Sequence, residues 1–243
     1  MANLKEIRNR ITSVGSTMQI TSAMKMVSAA KLKKAQDAIT AMRPYSEKLT
    51  ELLQNLSATL DGEVGSKYSD YFTIGKKGND ILKKTGNVIE NNNAIFDHLS
   101  YESTSKIAET LMELFAKSEY DKIVLVYNNF KNAATQIVMN EQFLPILPPK
   151  ASETKVSTDH IFEPSKVKIV EELIPKSLKT QSFKALRDSV ASEHGARMTA
   201  MHKATDNATE LRDALKLQYN KARQAAITNE ILEIVGGAEA LAG

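Results

Sequence analysis

Cysteine and tryptophan are both absent from this 243-residue chain. Without cysteine there is no disulfide, no thiolate metal ligand and no cysteine nucleophile. Aromatic residues make up only 6% of the sequence, too few for a large β-core and well suited to long helices with aliphatic seams. Helix breakers are scarce as well: six prolines and ten glycines, with wide stretches free of both. No run of about 18 apolar residues occurs, so no segment reads as a membrane-spanning helix. The opening MANLKEIRNR has neither the apolar core of a secretory signal nor the Arg- and Ser-rich extension of a transit peptide, which makes a cytoplasmic protein the expectation.

Recognisable chemistry is equally sparse. Gly75-Lys76-Lys77-Gly78 superficially suggests a phosphate loop, but a Walker loop needs Gly-Lys-Ser/Thr at its end, and Gly78 is followed by Asn79-Asp80. His98, His160, His194 and His202 form no H-x-x-x-H or H-E-x-x-H arrangement, so no metal site is expected. No nucleophile elbow of the G-x-S-x-G type occurs. No cofactor is implied, and an enzyme in its own right is disfavoured.

What is present is helical periodicity at both ends. In the last stretch, from Ser182 on, Phe183, Leu186, Val190, Met201, Ala204, Ala208, Leu211, Leu215, Ile227, Ile231, Ile234, Ala238 and Leu241 recur at mostly three- and four-residue steps. That is the seam of a coiled coil. Only Gly195 interrupts before Gly236-Gly237, so a helix roughly 80 Å long is predicted at about 1.5 Å per residue. The first 60 residues mirror it: Leu4, Ile7, Ile11, Val14 and Met18, then Met24, Val27, Ala35 and Ile39, then Met42, Tyr45, Leu49, Leu52, Leu56 and Leu60. Pro44 is expected to bend this helix or mark a junction. Two seams at opposite chain ends predict an antiparallel coiled coil of N- and C-terminal helices.

Between them the pattern changes. Tyr71–Ile74 reads as a strand ended by the Gly75–Gly78 turn, followed by a short helix through Ile81 and Leu82. Asn87-Val88-Ile89 reads as a strand and residues 90–93 as loop. Ser103 or Thr104 is expected to cap a helix burying Ile107, Leu111, Leu114 and Phe115. The run from Lys122 to Tyr127 reads as a buried strand covered by helices, and residues 134–144 as an antiparallel edge strand. A loop with Pro145, Pro148 and Pro149 reaches His160-Ile161-Phe162. Pro164-Ser165 then opens a helix through Val167, Val170 and Leu173 that Pro175 interrupts. The fold class is α/β plus a long antiparallel coiled coil. Its expected domains are 1–60 (N-terminal helix), 61–180 (α/β foot) and 181–243 (C-terminal helix).

Charge adds one asymmetry. The net charge is +3, yet residues 1–60 hold nine Lys+Arg against four Asp+Glu. Lys25, Lys31, Lys33 and Lys34 therefore read either as a solvated face or as a contact for an acidic partner. Nucleic-acid binding is a weaker alternative, because no aromatics are interleaved for stacking. The last turns, with Ile227, Ile231, Leu232, Ile234, Val235 and Leu241 among few charges, need a surrounding partner to avoid exposing an apolar end.

Specific stretches then match a family. Ile7–Ile11, Ile20–Leu32, Arg43-Pro44-Tyr45, Ile74–Gly78, Phe162–Ser165, Ala191–Met198, Ala204–Ala208 and Tyr219–Thr228 closely resemble the γ subunit of F-type ATP synthases. The resemblance implies a rotor shaft. Its terminal helices wind together inside a hexamer of α and β subunits, and a small Rossmann-like α/β foot binds the ε subunit and the c-ring. Proton flow turns ring and shaft, while ATP chemistry stays on the neighbouring subunits. Membrane association comes only through the complex, at the cytoplasmic face of the bacterial inner membrane, and no nucleic acid is involved. Lys25 falls where the family contacts an acidic loop of β. Arg223, Gln224 and Thr228 fall where it meets the β catch region, with Glu230 and Glu233 on the following turn. Asn229 stands where the family usually has the longer Gln. The competing reading is a coiled-coil scaffold without motor coupling.

One unit of the family is missing. A strand–turn–helix segment with a motif like S-x-R-G-L-C-G-x-x-N normally precedes the Ile74–Gly78 turn, whereas here Gly65–Asp70 runs straight into Tyr71. Either the unit is genuinely absent, or a segment has dropped out near Ser69–Asp70. A genuine loss predicts a repacked foot with an open sheet edge and bare apolar surface.

Overall fold

A computed structural model describes residues 4–56, 70–146 and 166–242, without the side chains of 50–56, 166–170 and 241–242. Along the chain run α1 (Leu4–Leu56), β1 (Asp70–Thr73), α2 (Lys76–Leu82), β2 (Asn87–Asn91), a 3-10 turn (Ala94–Phe96), α3 (Tyr101–Ala116), β3 (Ile123–Phe130), β4 (Gln136–Leu144) and α4 (Lys166–Ala242). Long terminal helices around a small α/β centre match the expected class. The expected seam side chains Leu52, Leu56, Leu60 and Leu241, the turns at residues 61–66, the Ser69 side of the junction, and the loop from Pro148 through His160 to Ser165 lie outside what is described. So do the side chains of Val167 and Val170.

Neither proline ends its helix. α1 continues through Pro44 and α4 through Pro175, so the second helix starts at Lys166 and has no break before Ser182. A helical proline costs about 3 kcal/mol, and burial on either side outweighs it. Met42, Ser46 and Leu49 flank Pro44 on the packed side, while Ser177 and Leu178 follow Pro175 into the interior.

The chain divides into two compact units. The first holds the residues up to Lys33, Asn132–Ala134, and Glu193 onward. In it α1 and α4 run antiparallel, as the cross-helix contacts show. Arg8 donates to Tyr219 Oη at 2.7 Å, Thr209 Oγ1 reaches Met18 Sδ at 3.3 Å, and Thr205 Oγ1 donates to Thr21 Oγ1 at 2.9 Å. Lys25 Nζ lies 3.4 Å from His202 Nδ1. As the position on α1 rises, its partner on α4 falls.

The seam differs from the apolar pattern in phase. On α1 the inward positions are Leu4, Ile7, Ile11, Val14, Met18, Thr21, Lys25, Ser28 and Leu32, an unbroken alternation of threes and fours. Met24 and Val27 are instead 43% and 56% exposed. On α4 the inward positions are Met198, Met201, Thr205, Ala208, Arg212, Leu215, Tyr219, Ala222 and Ala226, while Leu211 and Ile227 face out. Small or amphipathic residues hold the phase where the apolar pattern drifts. Ser28 and Ala208 let the two backbones approach, and Lys25 and Arg212 bury their stems while the charged heads reach the edge.

The second unit, Lys34–Lys131 and Thr135–Ser192, contains the strands. Its stretch of α1 buries Ala35, Ile39, Ser46 and Leu49, whereas Tyr45, expected in the seam, is 49% exposed. Its centre is a cluster of Ile95, Ile107, Ala108, Leu111, Phe143, Leu144, Leu178 and Leu186. α3 starts at Ser100 rather than at Ser103 or Thr104. Ser100 Oγ accepts the Ser103 N–H and Ser103 Oγ accepts the Ser100 N–H, both at 3.1 Å, a reciprocal capping box. Its inner face carries Thr104, Ile107, Ala108 and Leu111, and Tyr101 packs edge-on against Phe183 at 5.7 Å. The Gly75–Gly78 segment is already helical from Lys76, and Gly75 at φ 113° supplies the left-handed residue ahead of it. β2 extends through Glu90 and Asn91, which the sequence suggested were loop.

The sheet is split. Among the described residues β1 pairs only with β2, in parallel, and β3 only with β4, antiparallel, giving two two-stranded sheets instead of a continuous one. β3 is consequently not covered on both faces. Leu125 packs on the core, but Val124 and Val126 are 38% and 70% exposed.

One buried polar node ties this unit together. The Asp188 side chain on α4 is fully buried. It accepts from Asn129 Nδ2 at 3.0 Å and, at 3.5 Å, from Arg43 Nη2, which also donates to the Phe130 carbonyl at 2.9 Å. Ser192 Oγ donates to the Asn128 carbonyl at 3.0 Å. Tyr127 donates to Glu141 at 2.7 Å, and burial raises its phenol far above the ordinary range.

Two expectations follow from packing and charge. Leu32→Ala, on the seam, should cost about 2–4 kcal/mol in the isolated chain, and Val27→Ala no more than about 0.5 kcal/mol. Equal urea-midpoint shifts for the two would discredit the observed phase. Burial also holds the Asp188 carboxyl above its ordinary value, against the opposing pull of Arg43. The folded state therefore retains the proton more tightly than the unfolded chain, and this group's contribution to stability falls as pH rises from about 4 through its raised folded value. Asp188→Asn cannot ionise, so its urea midpoint should decline less than wild type between about pH 4 and 7. A parallel decline would refute this account.

Candidate partner-contact surface

All six residues singled out for partner contact lie in the first unit, but in two different settings. Lys25 sits on the α1 seam and is only half-exposed. Its ammonium faces His202, whose Nδ1 also lies 3.3 Å from Asp206 Oδ2, so part of its charge is engaged within the chain. Beside it the helices leave an apolar groove of about 540 Å³, lined by Met18, Gln19, Ser22, Ala23, Met26, Val27 and Thr205. Met26 is 66% exposed. Met26 and Val27, outside the seam, thus form an outward apolar patch with a cation at its margin. Of the other basic residues proposed on charge, Lys31, Lys33 and Lys34 are all exposed.

Arg223, Gln224, Thr228, Glu230 and Glu233 share a different environment. The α4 seam ends at Ala226, and every residue from Ile227 to Ala240 is exposed. Pairing explains this. Tyr219 already meets Arg8 near the start of α1, so the turns beyond it run past their partner helix. Thr228 Oγ1 donates to the Gln224 carbonyl at 3.0 Å, a bond within the helix that leaves the hydroxyl oxygen outward. Among the described residues, Arg223, Glu230 and Glu233 form no ion pair within the chain. Their charges are presented on a helix whose apolar residues are also bare: Ile227 47%, Ile231 55%, Leu232 63%, Ile234 71% and Val235 49% exposed.

Sequence reasoning missed several contributors. Arg8 donates to Tyr219 and also lies 5.6 Å above its ring centroid, fixing where α1 stops along α4. Arg212, whose Nη1 lies 3.5 Å from Met18 Sδ, replaces Leu211 in the seam. Extending the clean 4-7-11-14-18 alternation without demanding apolar side chains would have found Thr21 and Lys25, and the same step from Ala208 and Leu215 would have found Arg212. Glu193 pairs with Arg197, and burial lowers the pKa of the half-buried His194. No group of His, Asp and Glu among the described residues is arranged to hold a metal ion, and no described helix is long and apolar enough to cross a membrane.

The ATP synthase family model matches in two segments, residues 3–70 and 61–241. The ATP synthase gamma chain of Flavobacterium johnsoniae is 64% identical over 286 positions, covering all of both chains. That of Cytophaga hutchinsonii is 47% identical over 293 positions, covering 99% of each. The first alignment is 43 positions longer than this chain (286 against 243), and the family match falls into two segments that overlap at residues 61–70. The two segments meet at the place where the sequence suggested an absent unit, ahead of Tyr71. Among solved structures, the rotor of Euglena gracilis mitochondrial ATP synthase in rotational state 1 superposes with a TM-score of 0.64 at 18% identity, over 92% of this chain and 98% of that one. A second Euglena structure, of OSCP, F1 and the c-ring in rotational state 3, gives 0.66 at 20% identity, over 98% and 94%. At such identities these two establish the fold. The family model and the full-length sequence relatives establish that this chain belongs to the ATP synthase gamma-chain family, the non-catalytic rotor subunits of the central stalk.

Proposed function

We propose that this chain transmits torque between a membrane ring and a catalytic hexamer, with the unpaired end of α4 as the part that works on the hexamer. The observation that carries this reading is the run from Ile227 to Ala240, exposed along its whole length and bearing bare isoleucines beside unpaired charges. In water such an end is unfavourable, and inside a sleeve of α and β subunits it is covered. Arg223, Gln224 and Thr228 supply polar contacts to β where the helix leaves its partner, and Glu230 and Glu233 continue that face for one more turn. Lys25, with its neighbouring groove at Met26 and Val27, contacts an acidic loop of β from the other helix. The functional domains are the helices 1–60 and 181–243 as shaft and residues 61–180 as the foot facing ε and the c-ring. The chain is peripheral, held at the cytoplasmic face of the bacterial inner membrane through the complex.

Charge is the accessible test. Arg223→Glu places a carboxylate where a guanidinium met β. It should weaken assembly with α and β by about fivefold, equivalent to ~1 kcal/mol, and lower coupled ATP hydrolysis. Co-migration and ATPase activity of the reconstituted complex read out both, and unchanged values for both would remove Arg223 from the contact. Reconstitution of the unsubstituted chain addresses the broader reading. A complex that hydrolyses ATP without proton coupling would support a scaffold that has lost its motor role.

A further inference from the structure

We propose that the crevice at the carboxyl end of the β1–β2 pair, in the second unit, binds a small zwitterion with an apolar body. The ligand class is an α-amino acid of the size of leucine or phenylalanine. This goes beyond the rotor reading and does not depend on it. The crevice encloses about 370 Å³ between the end of β2, the 3-10 turn and the first turns of α3. Small-molecule sites begin at about 300 Å³, and open α/β sheets take their ligands at this end of their parallel strands. The floor is apolar. Ile95 and Ile107 are buried members of the core cluster, and Phe72 packs against them.

The rim is polar and carries opposite charges on opposite walls. Glu90 and Asn92 stand on the strand side, His98 before α3 and Lys106 on it. The main chain of both walls is tied down. Thr73 Oγ1 donates to the Glu90 carbonyl at 3.3 Å, and the Asn92 N–H to the Thr73 carbonyl at 2.9 Å. Opposite, Ser103 Oγ donates to the His98 carbonyl at 3.4 Å, and Thr110 Oγ1 to the Lys106 carbonyl at 3.1 Å. None of these bonds uses the ends of the rim side chains. Among the described residues, the Glu90 carboxylate, the Asn92 amide, the His98 imidazole and the Lys106 ammonium have no partner.

A carboxylate and an ammonium that line one cavity without meeting mark the two ends of a ligand. A phosphate would bring a second anion to Glu90, and a plain hydrocarbon would desolvate both charges without pairing either. An amino acid satisfies both walls. Its carboxylate accepts from Lys106 Nζ and the His98 ring, and its ammonium donates to Glu90 and to Asn92 Oδ1, all charge-assisted bonds. Its side chain covers Phe72 and Ile95.

Titration calorimetry of the full chain with three compounds tests this: L-phenylalanine, N-acetyl-L-phenylalanine without the ammonium, and L-phenylalaninamide without the carboxylate. L-phenylalanine should bind saturably and one-to-one. Each relative should bind about fivefold more weakly or worse, through loss of one charge-assisted contact. Glu90→Gln and Lys106→Gln alter exposed side chains, so the unfolding midpoint should stay unchanged. Glu90→Gln should weaken L-phenylalanine about fivefold and leave N-acetyl-L-phenylalanine unaffected. Lys106→Gln should do the same to L-phenylalanine and spare L-phenylalaninamide. The proposal is overturned by no saturable binding of L-phenylalanine, by equal binding of all three compounds, or by binding that neither substitution weakens.

Discussion

Two helices stay side by side over many turns only if the residues between them keep an average period of 3.5. That constraint governs the coiled-coil unit and explains its least obvious residues. Lys25 and Arg212 occupy seam positions that an apolar residue would fill at less desolvation cost. Both carry alkyl stems that pack and charged heads that escape to the edge. At Thr21 and Thr205 the seam is a hydrogen bond between hydroxyls, and at Ser28 and Ala208 it is little more than backbone approach. A seam so thinly apolar gains less from burial than one of leucines. Four further large apolar residues, Met24, Met26, Val27 and Leu211, are kept outside it. Outward placement of apolar bulk beside an inward run of small and polar residues is economical only for a rod that is itself surrounded by protein.

The same constraint marks where sequence reading succeeded. Helix identity, antiparallel pairing and the exposed end were legible because 3–4 spacing recurs over many turns and breakers are scarce. Individual seam members were legible only where the apolar pattern and the heptad agreed, as at Ile7, Leu49 and Leu215. They were lost where polar side chains hold the phase. Pro44 and Pro175 read as breaks because a proline's local cost is visible in the sequence and the packing that outweighs it is not. Ser100 was passed over as the cap of α3 because Ser103 and Thr104 are equally good candidates by type, and only the reciprocal bond with Ser103 decides between them. The partner-contact residues could be placed by resemblance to a family. The physical property that Thr228, Glu230 and Glu233 share, lying past the end of the seam, needed the register that Arg8 and Tyr219 fix.

The missing segment was legible from both directions, and its consequence required coordinates. A sheet that loses an edge strand stays whole; one that loses an interior strand divides. Here the parallel pair and the antiparallel pair share a core and the Tyr120–Asp70 bond, with no ladder between them among the described residues. β3 then carries an apolar pattern suited to a doubly covered strand on a face that is now open, with Val126 the most exposed of its residues. α3, the cluster around Phe143 and the node at Asp188 hold the two strand pairs from the packed side.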